Sequence, residues 1–164
     1  MFELSGQTNT ASKADRYREL ASELEALLGG ERDFIANASN TASFLFYGLR
    51  ELNWAGFYLM RGGELVLGPF QGKPACVRIA VGRGVCGTAV SKRMSIVVPD
   101  VHAFPGHIAC DSASNSELVT PLVRDGQILG VIDLDSPQLN RFDDEDKLGC
   151  KVLTQILLSS SDPF

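Results

Sequence analysis

Several features are scarce in this chain of 164 residues, and each scarcity removes a class of function. No apolar run approaches the roughly 20 residues that a membrane helix needs, and residues 128–134 are among the longest. The N-terminus lacks the basic-then-apolar pattern of a secretory signal, so the chain reads as cytoplasmic. Positive charge is also short. Fifteen Lys and Arg stand against twenty Asp and Glu, a formal charge of -5 with a pI near 5.0, which argues against a phosphate backbone as partner. Four cysteines are present but no C-x-x-C pair, so neither a zinc ribbon nor a thioredoxin-type motif is spelled locally. Repeats and linker-like runs are absent too. What remains is 45% hydrophobic and 21% charged, ordinary globular usage at a length that suits one domain over 1–164, with 1–12 expected to be flexible.

Periodicity supplies the elements. Tyr17, Leu20, Leu24, Leu27 and Leu28 recur at helical spacing over 13–28, and Gly29-Gly30 stops the run. A second helix over about 33–49 carries Phe34, Ile35, Ala38, Ala42, Leu45, Phe46 and Leu49, a stripe wide enough to lie on a sheet. An aromatic strand over 54–60 turns at Arg61-Gly62-Gly63 and returns over 64–67. Further strands are expected over 75–80 and 95–98, with a glycine-rich turn over 81–87 and a short helix over 88–92 between them. Residues 101–116 show neither period, and a loop this long in a small domain is usually functional. Strands over 117–123 and 127–135 bracket Arg124-Asp125-Gly126, a hairpin signal. A last helix starts near Asp143 and runs through Leu148, Val152 and Ile156. The order predicts an α+β domain, a mostly antiparallel sheet with N- and C-terminal helices packed on one face.

Strand alternation places Asp133 and Asp135 on one face and Ile132 and Leu134 on the other. Glu117, on the partner strand, can join the two acids. Crowded carboxylates raise at least one pKa, which keeps a carboxylic acid available as a proton donor. Cys110 stands in the irregular loop just before the hairpin that bears these acids. Cys86, at a turn that opens a helix, is expected to have its thiolate favoured by backbone N–H groups and the helix dipole. Cys76 reads as a strand residue, and Cys150, beside Gly149, as core. His102, His107 and Cys110 are zinc-competent types, but no fourth ligand is declared, so no metal is expected. Gly82-x-Gly84-x-x-Gly87 fits a dinucleotide fingerprint without the βαβ setting that gives it meaning. Trp54 and Tyr58 face the same way on their strand and can wall a small apolar pocket.

Three strings, FPGHIACDSASNSE at 104–117, VIDLDS at 131–136 and NWAGFY at 53–58, resemble the free methionine-(R)-sulfoxide reductases, stand-alone enzymes of GAF fold. The resemblance runs from about 13 to 158. It implies that free L-methionine-(R)-sulfoxide is the substrate and that no cofactor is bound, with thioredoxin as reductant and NADPH acting indirectly through thioredoxin reductase. It makes Cys110 the nucleophile and Cys76 and Cys86 the other redox thiols, with Cys76 favoured to resolve first. Glu117, Asp133 and Asp135 become the pocket acids and Trp54 and Tyr58 the aromatic wall, with Cys150 outside the pattern. The chemistry agrees, because sulfoxide oxygen must be protonated as a thiol attacks sulfur, and the resulting sulfenic acid needs a second thiol. Glu117 and Asp135 are expected to supply the proton. Asp133 is expected to hold the α-ammonium group, and N–H groups over 84–87 the α-carboxylate. The alternatives are a sensory GAF module that binds a small ligand, since Asn140-Arg141-Phe142 is similar to a compressed cyclic-nucleotide motif, and a thiol redox sensor. The apolar faces of two helices allow a homodimer.

Overall fold

A computed structural model describes residues 12–107 and 111–164. The expected flexibility of the first eleven residues and the nucleophile Cys110 therefore lie outside the described residues. Ser12 belongs to the ordered fold: its side chain accepts from the Asp15 N–H and caps the first helix.

In chain order the elements are α1 (Lys13–Leu28), α2 (Phe34–Gly48), β1 (Trp54–Arg61), β2 (Glu64–Gly72), β3 (Arg78–Ala80), α3 (Gly84–Lys92), β4 (Ile96–Val98), a 3-10 turn (Val101–Ala103), β5 (Ser116–Arg124), β6 (Gln127–Ser136) and α4 (Asp144–Ser160). The sheet runs β3-β2-β1-β6-β5-β4, and every neighbouring pair is antiparallel. Strand alternation splits the core in two. One face carries Phe57, Leu118, Ile132 and Leu134, which pack with Leu20, Leu24, Leu45 and Leu153 of α1, α2 and α4. The other carries Tyr58, Val119 and Val131, covered by Val85, Ala89 and Val90 of α3. Each such side chain contributes about 1.5–3 kcal/mol on leaving water, so the two layers fix which residues α3 can hold over the sheet.

Three expectations change. Of the strand expected over 75–80, Arg78–Ala80 forms the ladder with β2 and Val77 O accepts one further bond from the Leu67 N–H at 2.9 Å, while Cys76 stands in an irregular segment. Pro74 lacks an N–H for a ladder, and two carbonyls of the segment go to side chains: Lys73 O accepts from Trp54 Nε1 at 3.1 Å and Cys76 O from the Tyr58 hydroxyl at 2.9 Å. The helix expected over 88–92 begins at Gly84, because Gly87 is a packing glycine rather than a turn glycine. A Cβ on Gly87 would lie 2.3 Å from Ala80 O. In α4, Leu148 and Val152 point to solvent at 65% and 52% exposure, while Cys150, Leu153 and Leu157 are buried. Gly149 sets that rotation, since a Cβ there would lie 2.1 Å from the Tyr17 ring. Cys150 is thus a core residue, and burial pushes its thiol up to about 12.

Candidate active site

Register brings the acids together. Glu117 lies across from Asp135, Val119 across from Asp133, and Trp54 across from Asp135 on the other side of β6. Because β5, β6 and β1 show these residues on the face that α3 covers, the three carboxyls and Trp54 line one pocket with Tyr58, Ile79, Val85 and Cys86. Trp54 stacks between Tyr58 and Phe70, with centroids 6.0 and 5.3 Å away. Cys86, in the first turn of α3, donates its thiol to Asp133 Oδ2 at 3.3 Å. Glu117 and Asp133 are only 6% and 7% exposed, and Asp133 Oδ1 is buried with no hydrogen-bond partner.

Burial raises all three carboxyls. Loss of water, then the Asp133 and Asp135 charges, push Glu117 well above the usual carboxylate range. Asp135 moves the same way through burial and then the Asp133 charge, although a hydrogen bond with Ser114 opposes this. Burial also raises Asp133, but hydrogen bonds from Cys86 and Glu117 hold it to about 6. Of the three, Asp133 is the one whose ionised form is held by hydrogen bonds from both Cys86 and Glu117. The expectation for Cys86 is reversed. Its thiol is pushed up by burial and by the Asp133, Glu117 and Asp135 charges, which outweigh the helix dipole.

A second ring of residues, unassigned from sequence, surrounds the acids. Asn53 Nδ2 donates to Ser114 Oγ at 2.9 Å and to Asp111 Oδ2 at 3.3 Å, and Lys73 Nζ reaches Asp111 Oδ1 at 3.3 Å. The Ala113 N–H, then Lys73 and Asn53, keep the Asp111 carboxyl below its ordinary value. These contacts pin the chain just after position 110 to the start of β1 and the end of β2. Asn53 falls inside the NWAGFY string, and Asp111 and Ser114 inside the long loop string, which is the signal that could have found them. His107 lines the pocket as well, with Nε2 3.7 Å from Glu117 Oε2. Burial, then the nearby His102, lower its pKa, so it stays neutral beside a protonated Glu117. His102 is turned elsewhere, paired with Asn115 Oδ1 at 3.0 Å.

Of the residues expected at the site, Trp54, Tyr58, Cys86, Glu117, Asp133 and Asp135 line one cavity. Cys76 packs beside it, half-buried, next to the pocket residue Ala75. Cys110 belongs to the undescribed stretch, but His107 and Asp111 on either side of that stretch both line the pocket.

The GAF domain pattern matches residues 14–157. The free methionine-R-sulfoxide reductase of Escherichia coli is 54% identical over 142 residues, 87% of this chain and 86% of that one. The chain belongs to the GAF-domain family of free methionine-R-sulfoxide reductases. Among solved structures, the free methionine-R-sulfoxide reductase of Neisseria meningitidis in complex with its substrate superposes with a TM-score of 0.92 at 45% identity, covering 98% of this chain and 95% of that one. A putative GAF sensor protein of Burkholderia vietnamiensis is 56% identical with a TM-score of 0.88, covering 92% and 96%. Free methionine-R-sulfoxide reductases and a protein described as a sensor thus share this fold, and the acids of the pocket distinguish what each reading requires.

Proposed function

We propose that this protein reduces free L-methionine-(R)-sulfoxide to L-methionine in the cytoplasm. The observation that carries the reading is the geometry of the pocket: Glu117, Asp133 and Asp135 line it together, Glu117 across from Asp135, and the buried Asp133 has one oxygen with no hydrogen-bond partner. Burial raises all three carboxyls, while hydrogen bonds from Cys86 and Glu117 favour the ionised form of Asp133, so protonated and charged carboxyls meet there. An amino-acid sulfoxide asks for both forms. Its α-ammonium needs an anion, for which the unpartnered Asp133 Oδ1 is available, and its sulfoxide oxygen needs a proton. Lys73, which also lines the pocket, is paired with Asp111 and leaves the Asp133 charge unneutralised.

In the proposed cycle the Cys110 thiolate attacks the sulfoxide sulfur while Glu117, assisted by Asp135, protonates the oxygen. Oxygen passes to Cys110 as a sulfenic acid, so the substrate sulfur gains the two electrons that the cysteine sulfur loses. Cys76 then attacks the sulfenic sulfur, forming a disulfide and releasing water, and thioredoxin reduces that disulfide by thiol exchange. Cys76 is the better choice for this step, because it is half-buried while Cys86 is buried and its thiol held protonated. N–H groups at the start of α3, from Gly84 to Cys86, hold the α-carboxylate, and the S-methyl group lies against Trp54.

Thioredoxin-coupled NADPH oxidation tests this with the free R sulfoxide, the free S sulfoxide and an N-acetylated analogue. Turnover of the free R epimer alone, abolished in Cys110→Ser, is the expected result. No turnover by fully reduced protein would favour the ligand-binding sensor instead, the reading that the Burkholderia description favours.

A further inference from the structure

The floor of the pocket has the chemistry of a cation site as well as that of an acid. Among the described residues, Cys86, Glu117 and Asp133 form the group in which one ligand atom from each lies within 4.8 Å of the others, and all three are buried. A tetrahedral zinc ion, with bonds of about 2.3 Å to sulfur and about 2.0–2.2 Å to oxygen, separates its sulfur and oxygen ligands by about 3.5 Å. Cys86 Sγ and Asp133 Oδ2 already stand 3.3 Å apart. Asp133 is 7% exposed, and its Oδ1 has no hydrogen-bond partner. A buried, unpartnered carboxylate oxygen beside a thiol is an independent sign that something positive is meant to reach it. One sulfur and two oxygens select a borderline-soft ion over magnesium or calcium, which take six or more oxygens.

We propose that Cys86, Glu117 and Asp133 bind one zinc-class divalent cation, with the fourth position open to the pocket, and that the cation and the amino acid exclude one another. The exclusion rests on the proposed function, because it assigns the same Asp133 to the ammonium group; the metal site itself does not. Binding displaces the Cys86 thiol proton and the Glu117 carboxyl proton, both to solvent, and turns the Cys86 sulfur from a donor to Asp133 into a metal ligand. Occupancy therefore removes the anion that would hold the substrate, and the ion acts as a competitive inhibitor without touching the nucleophile.

Cobalt(II) is the probe, added to fully reduced protein in a Cys76→Ser/Cys110→Ser background that removes the other thiols outside the α4 core. One equivalent should bind with a thiolate-to-cobalt charge-transfer band and the visible bands of a tetrahedral site, and zinc should displace it. Adding Cys86→Ser should abolish the charge-transfer band, and adding Asp133→Asn instead, which keeps the thiol, should weaken binding at least tenfold. Absence of the band, or a band unchanged by both substitutions, overturns the site. Free methionine should raise the apparent Kd for cobalt in proportion to its concentration. If cobalt binds as described and methionine leaves it unmoved, mutual exclusion fails while the metal site stands. Loss of reductase turnover in the wild type alone would leave the cobalt result intact, so the two readings fail separately.

Discussion

Among the described residues two places bury carboxylates, and they do so to opposite ends. At the α1/α4 junction Asp146 is fully buried, yet every direction around it is answered. Lys13 Nζ lies 2.7 Å away, the Tyr17 hydroxyl donates at 2.9 Å, Arg141 Nη1 at 3.2 Å and the Asp143 N–H at 3.0 Å. Burial alone would lower the Lys13 pKa, but Asp143 and Asp146 overcome it and raise it. In the pocket, Glu117, Asp133 and Asp135 meet mainly one another, and one oxygen of Asp133 meets nothing. Burial is common to both, so burial is not the mark of chemistry. The mark is a missing counter-charge, since a carboxylate left without one either holds a proton or waits for a cation.

Exchanging the roles gives the sharpest test. Glu117→Gln should cut kcat about 10²- to 10⁴-fold, the usual worth of a positioned acid, with little change in KM. Its thermal midpoint should hold or rise, because an amide replaces a carboxyl that burial disfavours. Asp146→Ala should do the reverse. Removing the anion strands Lys13, Arg141 and the Tyr17 hydroxyl, and should cost about 3–5 kcal/mol in urea unfolding while the folded fraction keeps its kcat. If both substitutions lower stability equally, or both lower kcat equally, the contrast between the sites is lost.

Asp133→Asn should raise KM for the free sulfoxide about 10- to 100-fold, the worth of a hydrogen bond to a charged group. The same change should alter stability against pH. The folded protein holds the Asp133 proton more tightly than the unfolded chain, with a pKa near 6 rather than 3.8. Wild-type stability therefore falls as pH rises through that window, and the full penalty is present above it. Unfolding curves at several pH values should show this slope reduced in Asp133→Asn, whereas a slope of opposite sign would mean that Asp133 is charged at lower pH than burial allows. Smallest of all should be Cys86→Ala, which removes one thiol donor and should raise KM a few-fold as Asp133 becomes harder to ionise. Cys86→Ser, which keeps a donor, should restore it.

The same contrast explains what could be read in advance. Asp133, Asp135 and Glu117 were legible because strand alternation is a strict two-residue rule, and the Asp-Gly turn anchors the hairpin that pairs them. Asp146 was not. In the sequence it stands among the acids of a first turn, where negative charge suits the helix dipole, and nothing local announces that Lys13 and Arg141 will close over it. The thiols failed for a related reason. Cys86 is legible near a helix start, but its proton is governed first by burial and then by carboxylates 31, 47 and 49 residues further along the chain, and distance in sequence hides charge in space. Cys76 lost its expected strand because Trp54 and Tyr58, side chains of another strand, took the carbonyls around it.

Trp54 carries one more consequence. It is the chain's only tryptophan, clamped between Tyr58 and Phe70 with its indole N–H tied to Lys73 O, and it opens directly onto the acid pocket. Indole emission from this protein therefore comes from one place, the wall of the site. The molecule carries its own optical gauge, able to follow the arrival of a ligand, the departure of product or a change of charge in the pocket without any label.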